Sequence, residues 1–392
     1  MPDETNGLRV AVVAGTLARG GAEKQLVYMV EALHRAGHQV RVYCLTRGEY
    51  YERTLLQLGV EPIWFGRYRN PVARSLALAG ALREFTPHFV HSSHFYTNLY
   101  VAIAARLSGS IGVGTARSDV VHEVEANGRW GKWLLRVPVA LLVNSHAARR
   151  NALRMGVAPD VVDVLANVID LHAFDQLAAI VPSAARGTDE PRVIAVGSLV
   201  HAKRFDRFLQ ALALARSRGA GVTGVVVGDG AERGTLETLA SELGLVPPAV
   251  SFLGARDDVP NLLRDANIYM LTSEHEGFPN VLLEAMAAEL PVITTIAGDA
   301  GIVVDDGVTG YVVADGDVEI LSRHLQELAS APEMRRRLGE SGRRRVESEY
   351  TTTAFAERVV KSYRSIAERL GDRRALAALS SQVGSAGGSR AA

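Results

Sequence analysis

Short apolar runs alternate with segments of helical spacing along this chain, and the alternation occurs twice, with one break between. "LRVAVVAG" (8–15) is a brief apolar run closed by glycine, the pattern of a strand buried on both faces. In "GGAEKQLVYMVEALHRAG" (20–37), Leu26, Met29, Val30 and Leu33 recur at helical spacing and Gly37 supplies a stop. "HQVRVYCL" (38–45) is a strand again. The same order returns in "HFVHSS" then "TNLYVAIAARLSG", and in "ALLVNS" then "HAARRNALRMG". At 169–192 Pro, Ser, Gly and charge interrupt, which reads as a linker. The alternation then restarts with "RVIAVGS" and "RFDRFLQALALARSRG", and continues through "VTGVVVGDG", "ERGTLETLASELGL", "VSFLGA", "IYMLTS", "PVITT" and "GYVV". Strands joined through helices pair in parallel, with helices on both faces. The expected fold is α/β: two βα domains facing across a cleft, residues 1–175 and 192–350, joined by a linker at 176–191. A last helix, 351–371, is expected to pack back toward the first domain, and the Gly/Ser/Ala-rich 372–392 to form a flexible tail. In parallel sheets of this kind ligands bind beyond the carboxyl ends of the strands, so the loops after strands hold the candidates.

Composition narrows the function. The chain has 392 residues and a formal net charge of zero, so nothing global points to nucleic acid. The first half carries a mild basic excess and the second a mild acidic one. The single cysteine, Cys44, sits in an apparent strand and reads as a small core residue; with no disulfide framework the chain suits a reducing compartment. The opening "MPDETNGLRVAVVAG" lacks the basic-then-apolar order of a signal peptide, and no apolar run approaches the ~18 residues of a membrane span. A cytoplasmic location is expected, with contact at the inner face of the plasma membrane left open.

The richest stretch is "SEHEGFPNVLLEAMAAELPVITT" (273–295). It places Glu276 in a loop after a strand, then Gly277, Phe278, Pro279 and Asn280, and then a helix containing Glu284. Asn280 is a plausible N-cap, Gly277 permits close backbone approach and Pro279 stiffens the turn. A helix start offers unsatisfied N–H groups and a positive dipole end, which suit phosphate. Glu284, one turn in, suits the hydroxyls of a ribose, and Glu276 those of a sugar beyond the phosphates. The alternative is an ordinary surface glutamate and an ordinary helical one.

This stretch resembles the Glu-x7-Glu signature of the family-4 retaining glycosyltransferases, whose GT-B fold pairs two Rossmann-like domains. Other pieces resemble that family in order: "GTLARGGAEKQL" (15–26) its N-terminal glycine loop, "VNSHAARRNALRMGVAPDVVDVLANVID" the close of its first domain, "VGSLVHAKRFDRFLQAL" its phosphate-binding strand–loop–helix, and "GDAGIVVDDGVTGYVVADGD" the stretch after the signature. The likeness covers roughly 8–370. It implies a transferase moving sugar from a nucleotide diphosphate sugar, a co-substrate with no separate cofactor, to a saccharide or lipid-linked acceptor in bacterial surface glycan or glycolipid synthesis. It further implies that Glu284 holds the ribose, Glu276 contacts the donor sugar, and Gly277, Phe278 and the helix start touch the sugar or diphosphate. Lys203 would face the diphosphate, Gly20 and Gly21 would line the cleft on the acceptor side, and the loop at Arg256–Val259 would border the base.

Two positions depart from the family pattern. Ser198 stands where an arginine often pairs with the lysine; either Arg204 reaches in, or Ser198 contributes one hydrogen bond and Lys203 works with the amides. The family's His-x-His is here His91-x-x-His94, so the acceptor-side place falls on Ser93 or on His94; His94 is the expected one, and His91 is expected to be buried. A non-catalytic subunit that binds a nucleotide sugar is the alternative function.

The remaining motifs are weaker. "GDG" (228–230) does not complete a dinucleotide fingerprint, and "DGD" (315–317) reads as a turn, not a metal site. "RRRLGESGRRR" (335–345) reads as a solvated helix face. In "NGRWGKWLLRVPVALLV" (127–143), Trp130 and Trp133 sit beside Arg129, Lys132 and Arg136. Burial of those tryptophans is the favoured expectation; a helix lying on an anionic membrane is the alternative.

Overall fold

The computed structural model describes residues 7–68, 70–117, 120–179 and 190–380, with the side chains of Ala179 and Asp315 left aside. The acidic opening, most of the expected linker and the final residues of the expected tail therefore lie outside the described residues. The chain divides into two compact units, one made of residues 1–167 with 352–392, the other of 168–351.

The first unit holds seven parallel strands: β1 (Arg9–Ala14), β2 (Gln39–Cys44), β3 (Ile63–Trp64), β4 (Phe89–Ser92), β5 (Ile111–Ala116), β6 (Ala140–Val143) and β7 (Val162–Val164). Their spatial order is β3-β2-β1-β4-β5-β6-β7. The second unit holds six: β8 (Arg192–Val196), β9 (Thr223–Val227), β10 (Val250–Phe252), β11 (Ile268–Leu271), β12 (Val292–Thr295) and β13 (Gly310–Val313), ordered β10-β9-β8-β11-β12-β13. Both sheets are parallel, with Val10 opposite Val40 and Phe89, and Val193 opposite Gly224 and Ile268. The strands are mostly apolar because helices cover both faces; Val10, Ala11, Val12 and Val13 are completely buried.

Each sheet runs outward in one direction from its first strand and then reverses. The reversal falls between β1 and β4 in the first unit and between β8 and β11 in the second. At such a switch point the two flanking connections leave on opposite faces, and a crevice opens beyond the strand ends. The loops there are Gly15–Gly20 with Ser93–His94, and Gly197–Arg204 with Thr272–Pro279.

Three expectations need correction. One is the tail: its first part is not flexible chain but the helix Arg373–Ser380, whose Ala375 and Leu379, one turn apart, are buried. The other two concern the linker and the tryptophan segment. The helix Leu171–Ala179 occupies the start of the expected linker. Its Phe174 and Ala178 are buried, Asp170 Oδ1 accepts from Ala173 N–H (2.9 Å), and Asp175 meets Arg343 (2.7 Å). The Pro and Gly signals begin only at 182, after this apolar spacing has ended. The unit boundary accordingly falls at Asn167 rather than 175. The last correction concerns Trp130 and Trp133, which are 56% and 47% exposed. The segment breaks into a turn, Gly128–Trp130, and the short helix Gly131–Arg136, whose buried face is Leu134 and Leu135.

The helix Phe355–Leu370 belongs to the first unit. Its Tyr363 ring lies flat on Phe89, with centroids 4.2 Å apart, and its hydroxyl meets His91 Nδ1 at 2.8 Å. Among the described residues no helix is long and apolar enough to cross a membrane.

Candidate functional site

In the second unit, β11 delivers the chain into Thr272–Pro279 and the helix Asn280–Ala287. Beside it, β8 delivers the chain into a tight turn, His201–Lys203, before the helix Phe205–Ser217. The two connections are bonded to each other: Glu274 N–H donates to Ala202 O (2.9 Å), and Thr272 Oγ1 donates to Arg204 O (2.8 Å). This bracing brings Lys203 to Glu276. Lys203 Nζ lies 2.6 Å from Glu276 Oε1, which also accepts from Ser273 Oγ at 2.7 Å. The Glu276 side chain is 9% exposed and that of Lys203 27%. A half-covered ion pair of this geometry interacts far more strongly than one in open water.

The backbone behind Glu276 is equally fixed. Gly277, Phe278 and Pro279 are buried, and Phe278 packs beside Tyr350. Asp299 N–H donates to Gly277 O (3.2 Å), and Gly298 takes a positive φ of 59°. A Cβ at Gly298 would fall 2.3 Å from Gly277 O, so only glycine fits there. Pro279, not Asn280, occupies the N-cap position, with no side-chain cap hydrogen bond; Asn280 is the first helical residue. Proline fits because its missing N–H is not needed there. Glu284 sits one turn in and is partly exposed. Tyr269, beneath the site, is completely buried; burial, then the charges of Glu276 and Glu284, push its hydroxyl well above the ordinary range.

Ser198 is exposed on the loop after β8. Arg204 is positioned differently from Lys203. Its φ of 49° turns the side chain to Asp206, which it grips at 2.9 and 2.8 Å, and to Glu274 at 3.0 Å. The hydrogen bonds to these carboxylates raise its already high pKa. Arg204 therefore does not take the place of the arginine that Ser198 replaces. Arg256 is held by Asp258 at 2.7 Å on the loop after β10.

In the first unit, Gly20 precedes the helix Gly21–Arg35, and Gly21 is exposed at its start. His94 lies after β4 with both ring nitrogens engaged. Gly15 N–H donates to Nδ1 (3.1 Å), so Nε2 carries the proton and donates to Glu23 Oε1 (3.1 Å). Thr16 Oγ1 donates to the same oxygen at 2.6 Å. Burial would raise the Glu23 carboxyl, but the hydrogen bonds from His94 and Thr16 outweigh it and hold the pKa below the ordinary value. A Cβ on Gly20 would meet Glu23 Oε2 at 2.3 Å, so Gly20 makes room for the carboxylate. His91, by contrast, is buried in the sheet, and burial lowers it to about 3.

The sequence reading missed Glu23, Ser273 and Tyr269. Glu23 had a signal: an acid in the first turn of the helix that follows the glycine loop, at its positive end. Ser273 and Tyr269 had none beyond membership of a strand and its loop. Among the described residues no group of three or more His, Cys, Asp or Glu gathers as a metal site.

Two family models match the chain in tandem: Glycosyltransferase Family 4 over residues 19–173, and Glycosyl transferases group 1 over residues 179–345. The chain belongs to the group 1, family 4 glycosyltransferases. Each model takes most of one βα unit, and the second contains the entire Lys203–Glu284 site. Among curated relatives, the lipopolysaccharide core biosynthesis glycosyltransferase LpsE of Rhizobium meliloti is 32% identical over 169 residues, 43% of this chain and 48% of that protein. The capsular polysaccharide biosynthesis glycosyltransferase CapM of Staphylococcus aureus is 27% identical over 168 residues, 43% of this chain and 44% of that protein. The chain thus spans about half the length of these two relatives. Among solved structures, Anabaena HepE in complex with UDP and glucose superposes with a TM-score of 0.76 at 18% identity, covering 91% of this chain and 99% of that one. The fold of this glycosyltransferase is the two-sheet α/β fold of the GT-B class.

Proposed function

We propose that this glycosyltransferase moves a sugar, with retention and without a metal, from a nucleotide diphosphate sugar to a hydroxyl of a saccharide or lipid-linked acceptor in surface glycan or glycolipid synthesis. The observation that carries the reading is the Lys203–Glu276 pair, 2.6 Å apart, braced where the Gly277–Pro279 bend opens a helix. Charge builds on the diphosphate as the glycosidic C–O bond breaks. Lys203 and the first-turn amides of the helix are fixed donors for that charge. Glu284, one turn on, is the group for ribose hydroxyls, and Glu276 the group for hydroxyls of the donor sugar. Because Arg204 is committed to Asp206 and Glu274, Lys203 bears the cationic role beside the amides, with Ser198 contributing at most one neutral hydrogen bond. In the first unit, Gly20, Gly21, His94 and Glu23 form the acceptor side, where the anionic Glu23 is available to a hydroxyl. The UDP found with HepE and the names of the relatives support the donor class and the pathway class.

The catalytic test is direct. Removing one preorganised donor typically costs roughly 2.7–4 kcal/mol of transition-state stabilisation. Lys203→Ala and Glu284→Gln should each cut transfer or donor hydrolysis at least tenfold, measured against a panel of nucleotide sugars. Wild-type turnover in both would overturn the assignment.

We also propose a cytoplasmic setting with contact to the inner membrane face through 127–143. Support comes from the two exposed tryptophans, 6.1 Å apart, with Arg129 over Trp130 at 5.0 Å. Exposed Ile103, Leu107, Val139 and Leu370 extend the apolar side of the same unit, and Trp133, Ile103, Val139 and Leu370 line one groove of about 480 Å³. Tryptophan with arginine suits a headgroup boundary. Co-sedimentation with liposomes should rise with anionic lipid and fall in Trp130→Ala/Trp133→Ala; equal binding to neutral vesicles would exclude the electrostatic part.

A further inference from the structure

The carboxyl edge of the first sheet carries groups that neither the donor site nor the Glu23–His94 pair uses. Strands β1, β2 and β3 are adjacent and parallel, so the loops that follow them lie side by side. They are also bonded together. Leu45 N–H donates to Ala14 O (3.1 Å), Tyr51 N–H to Leu17 O (2.9 Å), and Trp64 Nε1–H to Leu45 O (3.0 Å). Gly66 packs so closely that a Cβ would lie 1.7 Å from Leu45 O. The edge is therefore a braced surface and not a set of independent loops.

Three guanidinium–aromatic pairs stand on it. Arg19 lies over Tyr50 at 5.4 Å, Arg47 over Trp64 at 4.6 Å and Arg67 over Tyr68 at 4.9 Å. All three rings are exposed: Tyr50 by 59%, Trp64 by 39% and Tyr68 by 36%. The carboxylate closest in sequence to Arg47 is already committed, since Glu49 accepts from Leu17 N–H and Thr46 Oγ1. Arg47 and Arg67 enter no ion pair among the described residues. A guanidinium held over a ring keeps its N–H fork in its own plane, free to meet a planar anion, and the fork matches carboxylate and phosphate in two-point fashion. An exposed ring presents an apolar face of the size of a sugar ring. Both halves of a charged saccharide are thus matched at one edge.

We propose that this edge is an acceptor subsite for a glycan segment bearing oxyanions, either uronate carboxylates or phosphodiesters. The proposal rests on the first unit being the acceptor side. It adds the chemical class of that acceptor, because a neutral glycan would use the rings and leave Arg47 and Arg67 without an oxyanion.

The test is calorimetric titration of the full chain, without donor, at low ionic strength. Three probes of equal length are compared: trigalacturonate, a glycerol phosphate trimer and cellotriose. At least one acidic probe should bind tenfold or more tightly than cellotriose, and the probe that does so identifies the oxyanion. The double substitution Arg47→Gln/Arg67→Gln should weaken that probe at least tenfold, with an unchanged melting temperature showing that the unit is folded. Trp64→Ala should weaken cellotriose, and should weaken the acidic probe at least as much, because Arg47 rests on that ring. Equal binding of acidic and neutral probes, or an unaltered affinity in the double variant, would overturn the proposal. Because the readout is binding without donor, it stands or falls separately from the transfer assay of Lys203→Ala and Glu284→Gln.

Discussion

At the scale of single residues, both candidate sites use a carboxylate whose position is fixed by neighbouring side chains: Glu276 by Lys203 and Ser273, Glu23 by His94 and Thr16. Glu276 stands out in the sequence because an acid precedes a Gly-Phe-Pro-Asn bend in a stretch that resembles the Glu-x7-Glu signature; the bend alone would fit an ordinary loop glutamate equally well. Glu23 does not stand out, because "GGAEK" reads equally well as a helix start with an acid in its first turn. Its partners, Thr16 and His94, come from different loops, and no pattern along one chain announces that meeting. The arrangement makes a specific prediction. Glu23→Ala leaves the Nε2–H of His94 and the Thr16 hydroxyl without their acceptor in a mostly buried place, which costs roughly 1–3 kcal/mol. Glu23→Gln keeps an oxygen for both and should recover most of that loss. Urea unfolding of the two variants checks this; equal losses would mean that charge, not the hydrogen-bond pattern, sets the stability. A second residue acts through backbone alone. Gly298→Ala must adopt a φ of 59° and place a methyl 2.3 Å from Gly277 O, so the loop under Glu276 has to move. The expected result is a loss of roughly 1–3 kcal/mol in stability, together with weaker nucleotide-sugar binding by calorimetry.

At the scale of elements, the strands of both units were legible because a doubly covered parallel strand leaves a short, nearly continuous apolar signal. Helix starts were less so. Asn280 is a better capping residue by type than Pro279, yet the bend fixed by Gly277 and Pro279 decides where the helix begins. The helix Leu171–Ala179 was hidden by the Pro/Gly-rich stretch that follows it, although Phe174 and Ala178 are spaced to share a face. Likewise, burial is the expectation for Trp130 and Trp133, but Trp130 lies in the turn Gly128–Trp130, and the six-residue helix that carries Trp133 spends its inward face on Leu134 and Leu135. The first of these helices is not a passive connection. Phe174 is 5% exposed, and Arg343 binds Asp175 through both carboxylate oxygens. Phe174→Ala should therefore cost roughly 3–5 kcal/mol, as removal of a core aromatic does, whereas Asp175→Ala, on an exposed pair, should cost within about 1 kcal/mol. Denaturant midpoints distinguish the two; a negligible effect of Phe174→Ala would return the segment to the status of a linker.

At the scale of the whole molecule, the order of strands could not be read from the sequence, only their alternation with helices. What the order adds is the location of function: the glycine loop and His94 flank the reversal between β1 and β4, and Lys203 and Glu276 flank that between β8 and β11. The same topology buries a titratable group in the first sheet. His91 lies on β4, completely covered, with Nδ1 against the Tyr363 hydroxyl of the helix Phe355–Leu370. Burial first, then the nearby charge of Arg117, lowers its pKa from 6.5 to about 3. His88 is lowered to about 4 by burial and then by Arg9 and Arg374. A base with a depressed folded pKa is held neutral in the native state, while the unfolded chain takes up its proton near pH 6.5. The stabilisation from neutral burial is thus complete above pH 6.5 and lost as pH falls from there toward 3–4. For His91 alone the loss between pH 7 and pH 5 is about 2 kcal/mol, a range in which ordinary carboxylates hardly titrate. His91→Asn keeps an acceptor for the Tyr363 hydroxyl but cannot titrate. Its unfolding free energy should therefore be flatter by about that amount over the same interval, whatever its absolute stability at pH 7. Parallel curves for the variant and the wild-type chain would show that His91 is protonated, or exposed, in the folded first unit.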